Sequence, residues 1–228
     1  MTVAASQRGV RLLPWGGARN RKDRKSLCLT ERQAQRLIDG AMSAWGDGKP
    51  LNRFISGAWE VGGISPCDSV AATSRFITLA REWLRERGYD MPWIWVQECG
   101  SRSGAHCHIL MHVPPALDPL FRSKPRQWAG KVLGGSYVPK VINTRRLLYA
   151  SSSALMRSAY YAELMGRLHY MLKCTPAALE GPLGMNGASV AAWGQSGLVY
   201  GKRAAVWQGT REYAEWARDM LPVPEQIC

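Results

Sequence analysis

The chain has 228 residues, a hydrophobic fraction of 46% and 10 tryptophans, enough apolar material for a packed core, so a wholly disordered polypeptide is excluded. Lysine and arginine total 30 against 17 acids, a formal charge of +13. That imbalance points to a polyanionic partner (DNA, RNA or an anionic membrane face) or else to a merely solvated basic surface. No apolar run reaches membrane-spanning length and no secretion signal is visible, so a cytoplasmic protein without membrane attachment is expected. The six cysteines, Cys28, Cys67, Cys99, Cys107, Cys174 and Cys228, form no CxxC pair and read as reduced thiols, mostly buried.

Residues 1–28 read as a basic, flexible arm, in which Arg8, Arg11, Arg19, Arg21, Lys22, Arg24 and Lys25 face the single acid Asp23. Such an arm either lies on a nucleic acid or has no partner. Thr30 with Gln33 gives a capping-box signature, and Leu37, Ile38, Ala41, Met42 and Trp45 recur at helical spacing up to Gly46, which predicts the first helix. A strand is expected over 54–61. Asp68 or Ser69 then opens a long amphipathic helix that carries Phe76, Leu79, Ala80, Trp83 and Leu84 on one stripe and stops at Gly88. Two strands follow, over 93–98 and 105–113, joined by a turn-rich segment and ended by Pro114 and Pro115. Residues 116–150 are broken by prolines and glycines and yield no clear element. Helices are expected over 159–173 and 210–220, with a Gly-rich stretch between them. This order predicts an α+β fold with a mainly antiparallel sheet and helices packed on one face. It makes one domain of 29–220, with a core of about 51–174, a C-terminal extension over 175–220 and a tail over 221–228.

Three of the four histidines fall within seven residues, His106, His108 and His112. On a strand, positions i and i+2 share a face, so His106 and His108 project side by side while Cys107 points away. Such a pair either holds a metal or is hydrogen-bonded in place; His112, farther along, reads as structural. Glu98 ends the preceding strand, beside the start of the next, and adds a carboxylate. Two nitrogens and one carboxylate leave positions open for water or a substrate oxygen. Gln97 takes Glu98's place if the strand register slips by one. On the later helix Tyr170 lies off the apolar stripe, with Gly166, Arg167 and Lys173 as helical neighbours. Cations there favour a phenolate and hold phosphate; the alternative is a tyrosine that only packs by its ring. Lys202 and Arg203, in a turn after Gly201, are candidate contacts to a DNA backbone or simply solvated.

His106-Cys107-His108 followed by Ile109-Leu110-Met111, Tyr170-Met171-Leu172-Lys173, and Glu98 on the preceding strand together resemble the HUH endonuclease family. The branch they resemble is that of rolling-circle replication initiators of plasmids and filamentous phages. Cys107 is smaller than the bulky apolar residue usual between the two histidines. The resemblance covers roughly residues 51–174 and implies metal-dependent nicking and joining of single-stranded DNA at a replication origin. It places Mg²⁺ or Mn²⁺ at His106, His108 and Glu98, makes Tyr170 the nucleophile of a 5′-phosphotyrosine intermediate, and has Lys173 position the phosphate or stabilise charge. Arg167, Lys202 and Arg203 would contact the nucleic acid. One active tyrosine fits a plasmid-type initiator, a transposase or a relaxase. No G-x-x-x-x-G-K-[ST] loop is present, so duplex opening would fall to supercoiling or a host helicase, with a host polymerase extending the free end. The rival reading is a non-catalytic nucleic-acid-binding module on the same fold.

Overall fold

The computed structural model describes residues 24–100, 103–148, 153–185 and 197–208. Most of the expected basic arm, the expected helix over 210–220 and the tail lie outside the described residues. The described chain runs β1 (Lys25–Ser26), α1 (Glu31–Gly46), β2 (Arg53–Gly57), α2 (Ser69–Arg85), β3 (Trp93–Gly100), β4 (Gly104–Met111), α3 (Asp118–Phe121), α4 (Lys124–Val132), β5 (Ile142–Arg146), α5 (Ala154–Leu172), β6 (Val199–Tyr200) and β7 (Ala204–Val206). Five strands form one sheet in the order β5-β2-β4-β3-β7, antiparallel at every pairing, and β1 pairs with β6. The expected α+β class and antiparallel hairpin are therefore present.

Local signals explain most element ends. The Thr30 hydroxyl accepts from the Gln33 amide and the Gln33 side chain accepts from the Thr30 amide, so two otherwise unpaired donors of α1 are satisfied. After α2 the chain reverses at Gly88, whose φ of 77° suits glycine, and Tyr89 N–H closes the end on the Leu84 carbonyl. The strand expected over 54–61 stops at Gly57. Trp59 turns inward and is fully buried, its indole N–H donating to the Thr73 hydroxyl at 2.8 Å, and a 3₁₀ turn follows at Glu60–Gly62. The strand expected to reach residue 113 stops at Met111, because the Asn52 side chain takes both backbone groups of Val113. Helix α5 begins five residues earlier than expected.

The helices cover both faces of the sheet, not one. Alternate residues Phe54, Ile94, Val96, Leu110 and Ala204 face α1 and α5, packing on Leu37, Ala41, Leu164, Leu168 and Leu172. Their neighbours Ile55, Trp95, Cys107, Ile109 and Ala205 face α2 and α4, packing on Phe76, Ala80, Trp83 and Trp128. Among the described residues no helix is long and apolar enough to cross a membrane. Cys28, Cys67, Cys99, Cys107 and Cys174 are free thiols, as expected.

The α2 face carries one buried polar knot. Thr73 accepts from Trp59 and donates to Gln97 Oε1 at 2.9 Å, while Gln97 Nε2 donates to the Ser69 hydroxyl at 3.0 Å. Thr73→Val keeps the shape but strands an indole N–H and an amide oxygen away from water. It is expected to lower unfolding free energy by about 1–3 kcal/mol, read as a shifted urea midpoint with an unchanged slope.

Candidate metal centre and active site

Strand register decides which side chains meet. Across β3–β4, Glu98 lies opposite His106 and Val96 opposite His108; across β2–β4, Ser56 lies opposite His108. Directly opposed residues share a face. Glu98, His106, His108 and Ser56 therefore point into the α1/α5 layer, and Gln97 and Cys107 point into the α2 layer. Gln97 is fully buried in the polar knot there, so the one-residue slip does not occur. Burial pushes the Cys107 thiol up to about 11.

The Glu98 carboxylate is the centre of the cluster. Its Oε2 lies 3.2 Å from His106 Nε2, 3.7 Å from His108 Nε2 and 2.7 Å from Lys173 Nζ. The carboxylate is 2% exposed. Burial on its own would raise its pKa; the polar contacts from His106 and His108 and the nearby positive charge reverse that and hold it well below the usual carboxylate range. Burial pushes His108 below its usual value, so this imidazole is neutral near neutral pH. His106 Nδ1 lies 2.8 Å from the Gly104 carbonyl, which can only accept, so Nδ1 carries a proton and Nε2 is the nitrogen turned to Glu98. His108 Nδ1 lies 2.9 Å from the Ser56 hydroxyl.

The donor set fits a divalent cation. One ligand atom from each of Glu98, His106 and His108 lies within 4.8 Å of the others. Glu98 Oε1 and His108 Nε2 are buried without a hydrogen-bond partner, a cost that a shared cation would remove. Ser56 on His108 and Gly104 on His106 are outer contacts of the kind that orient imidazole ligands.

Tyr170, half-buried on α5, stands against this cluster. Its ring centroid is 4.9 Å from that of His108 in an edge-on arrangement and 6.1 Å from that of Phe54. Lys173 Nζ lies 3.8 Å from the Tyr170 ring centroid, and the Arg167 guanidinium lies 5.4 Å from the Phe54 ring. Lys173 is thus bound inward to Glu98 rather than held out for a phosphate. Burial opposes its charge, and Glu98 and Tyr170 more than restore it. Tyr160, not Tyr161, is the fully buried tyrosine of α5, its hydroxyl donating to the Leu51 carbonyl at 3.2 Å. Tyr161 stacks on Trp45. His112 is structural as read, buried with Nδ1 2.8 Å from the Pro50 carbonyl.

Arg203 does not face outward. It is 1% exposed and donates to the Ser26 hydroxyl at 3.0 Å, to the Ser26 carbonyl and to the Gly197 carbonyl at 2.9 Å. Its role is to tie β1 and the segment before β6 to the sheet, so it is unsuited to a nucleic-acid contact. Lys202 beside it is half-exposed. Sequence reasoning missed Ser56, Asn143 and Arg145. On β5, Asn143 lies opposite Ser56 and Arg145 opposite Phe54, so both extend the face of the cluster, and both are exposed. The i, i+2 relation of Phe54 and Ser56 could have flagged the serine; β5 has only Ile142 as an apolar residue and gives no alternation to find.

Two outcomes follow from these charges. Lys173→Met leaves a buried carboxylate uncompensated and should destabilise the fold by roughly 3–5 kcal/mol, with added Mn²⁺ restoring part of the loss in a thermal melt. His108 and His112 both sit below their ordinary value of 6.5 because they are buried, so the unfolded chain binds more protons in mild acid. Stability is therefore full above pH 6.5 and falls as pH is lowered through it, measurable as a declining urea midpoint between about pH 7 and pH 5.

The comparisons with known proteins agree with this geometry in part. No curated protein and no solved structure matches the chain. The matched family stretch holds Glu98, His106 and His108 and runs from before α2 through β5, while Tyr170 and Lys173 lie beyond it. Over residues 65–147 the chain matches the family model described as replication-associated protein ORF2, consistent with a rolling-circle Rep protein.

Proposed function

We propose that the chain starts rolling-circle replication of a plasmid or phage by nicking and rejoining single-stranded DNA through a covalent bond to Tyr170. The observation that carries this reading is the placement of the Tyr170 ring 4.9 Å from His108, beside the only His/Glu group with ligand spacing among the described residues. His106, His108 and Glu98 would hold Mg²⁺ or Mn²⁺, which when bound supplies Lewis-acid polarisation of a phosphate oxygen. Lys173 beside the phenol favours its ionised form, so Tyr170 gives its proton to solvent and attacks phosphorus as phenolate. The bond from phosphorus to the 3′ oxygen breaks, and that oxygen takes up a proton. A free 3′-OH and a 5′-phosphotyrosine result. The ester keeps the energy of the broken bond, so the 3′-OH can reverse the step without a nucleotide cofactor. Arg167, Arg145 and Asn143 lie along the same face and would hold the flanking phosphates. Host helicase and polymerase remain the expected partners for duplex opening and extension.

The test is end-labelled single-stranded DNA with Mn²⁺. Label should become attached to protein only when it lies 3′ of the cut. Tyr170→Phe should abolish the adduct and keep DNA affinity. His106→Ala or His108→Ala should abolish cleavage, and Cys107→Ala should not. Undiminished binding with no adduct under any divalent cation would leave only a binding module.

A further inference from the structure

A cleft lies on the other side of the sheet from the His/Glu group, between α2 and the edge formed by β3 and β7. It holds about 380 Å³, within the range of ligand-binding cavities. Trp93 and Trp95 of β3 line it, Arg81 stands on its α2 wall, and Tyr200 and Lys202 form the opposite wall. Trp95 belongs to the layer packed on α2, opposite in parity to Glu98, so this cleft is separate from the Tyr170 site. No acidic side chain lines it. Arg81 is exposed and Lys202 half-exposed, and Lys25 adds a third cation, its Nζ 5.4 Å from the Tyr200 ring centroid.

Aromatic faces interleaved with cations, and no carboxylate to repel phosphate, are the chemistry that binds unpaired nucleotides. A duplex keeps its base faces stacked inside and is far too wide for a cleft of this volume. We infer that this cleft is a second nucleic-acid site, which takes a single-stranded segment: a base against Tyr200 and Trp93, and phosphates on Arg81, Lys202 and Lys25. The site goes beyond the nicking reaction, since it would hold a strand whether or not Tyr170 cleaves one.

The test uses the full chain carrying Tyr170→Phe, so that nothing is cut, and a fluorescein-labelled 20-mer of mixed sequence read by anisotropy at several salt concentrations. Arg81→Gln with Lys202→Gln should weaken binding about tenfold and flatten the slope of log affinity against log salt by roughly 1.4, about 0.7 per lost phosphate contact. Tyr200→Leu should weaken binding with the salt slope kept, which separates lost stacking from lost charge. The exposed Cys67 thiol, also lining the cleft, reports position: its alkylation, followed by peptide mass spectrometry, should slow when the oligonucleotide is present. Unchanged affinity and slope in the folded double variant would overturn the inference. So would a Cys67 already shielded in the DNA-free chain and indifferent to the oligonucleotide, which would mean that another part of the chain fills the cleft.

Discussion

An ionised carboxylate at 2% exposure is the constraint on which the rest of the site turns. Such a charge is not tolerated alone in an apolar interior. Glu98 persists because nitrogen groups from two other elements converge on it: two imidazoles from β4 and an ammonium at the end of α5. The β3–β4 hairpin sets the imidazoles by register. The ammonium depends on the phase of α5, which is set elsewhere, by Leu164, Leu168, Met171 and Leu172 buried against the sheet. Those apolar contacts rotate residues 170 and 173 together toward the carboxylate. Packing and electrostatics therefore fix the same helix, and a disturbance of either moves the phenol.

The two faces of the sheet divide the work. One carries the polar cluster and opens toward β5. The other is locked by the bond from Trp59 to Thr73 and Gln97, and by the tryptophan-rich packing of α2 and α4. A rigid strand backed in this way holds side chains on its far face with little freedom, as a reactive constellation requires.

How much of this was legible in the sequence varied with the range of the interaction. Strand alternation is local, so the common parity of Glu98, His106 and His108 could be read directly, as could the capping box at Thr30. Amphipathic stripes tell that a helix is half-buried and not which face of the sheet it covers, so α2 and α4 were placed with α1 and α5 when they lie opposite. The inward pull of Glu98 on Lys173 and the burial of Arg203 under Ser26 and Gly197 depend on partners far away in the chain. No window of sequence shows those. Tyr160 and Tyr161 differ by one position, about 100° of helix, and the stripe was too broad to choose between them. The exposed edge strand β5 lacks the alternation that marks strands with one buried face.

Cys107, between the two histidines, is where the faces constrain each other most tightly. A Cβ placed on Gly57 would sit 3.1 Å from the Cys107 sulfur and 2.9 Å from the Trp59 ring, so the three crowd together beneath the sheet. The indole already occupies the volume that a large residue at 107 would claim. The bulk usual between paired histidines has thus migrated to a tryptophan on a neighbouring segment. Enlarging the thiol position is sterically permissible only if that ring shrinks in the same step, which makes residues 57, 59 and 107 a single unit of substitution.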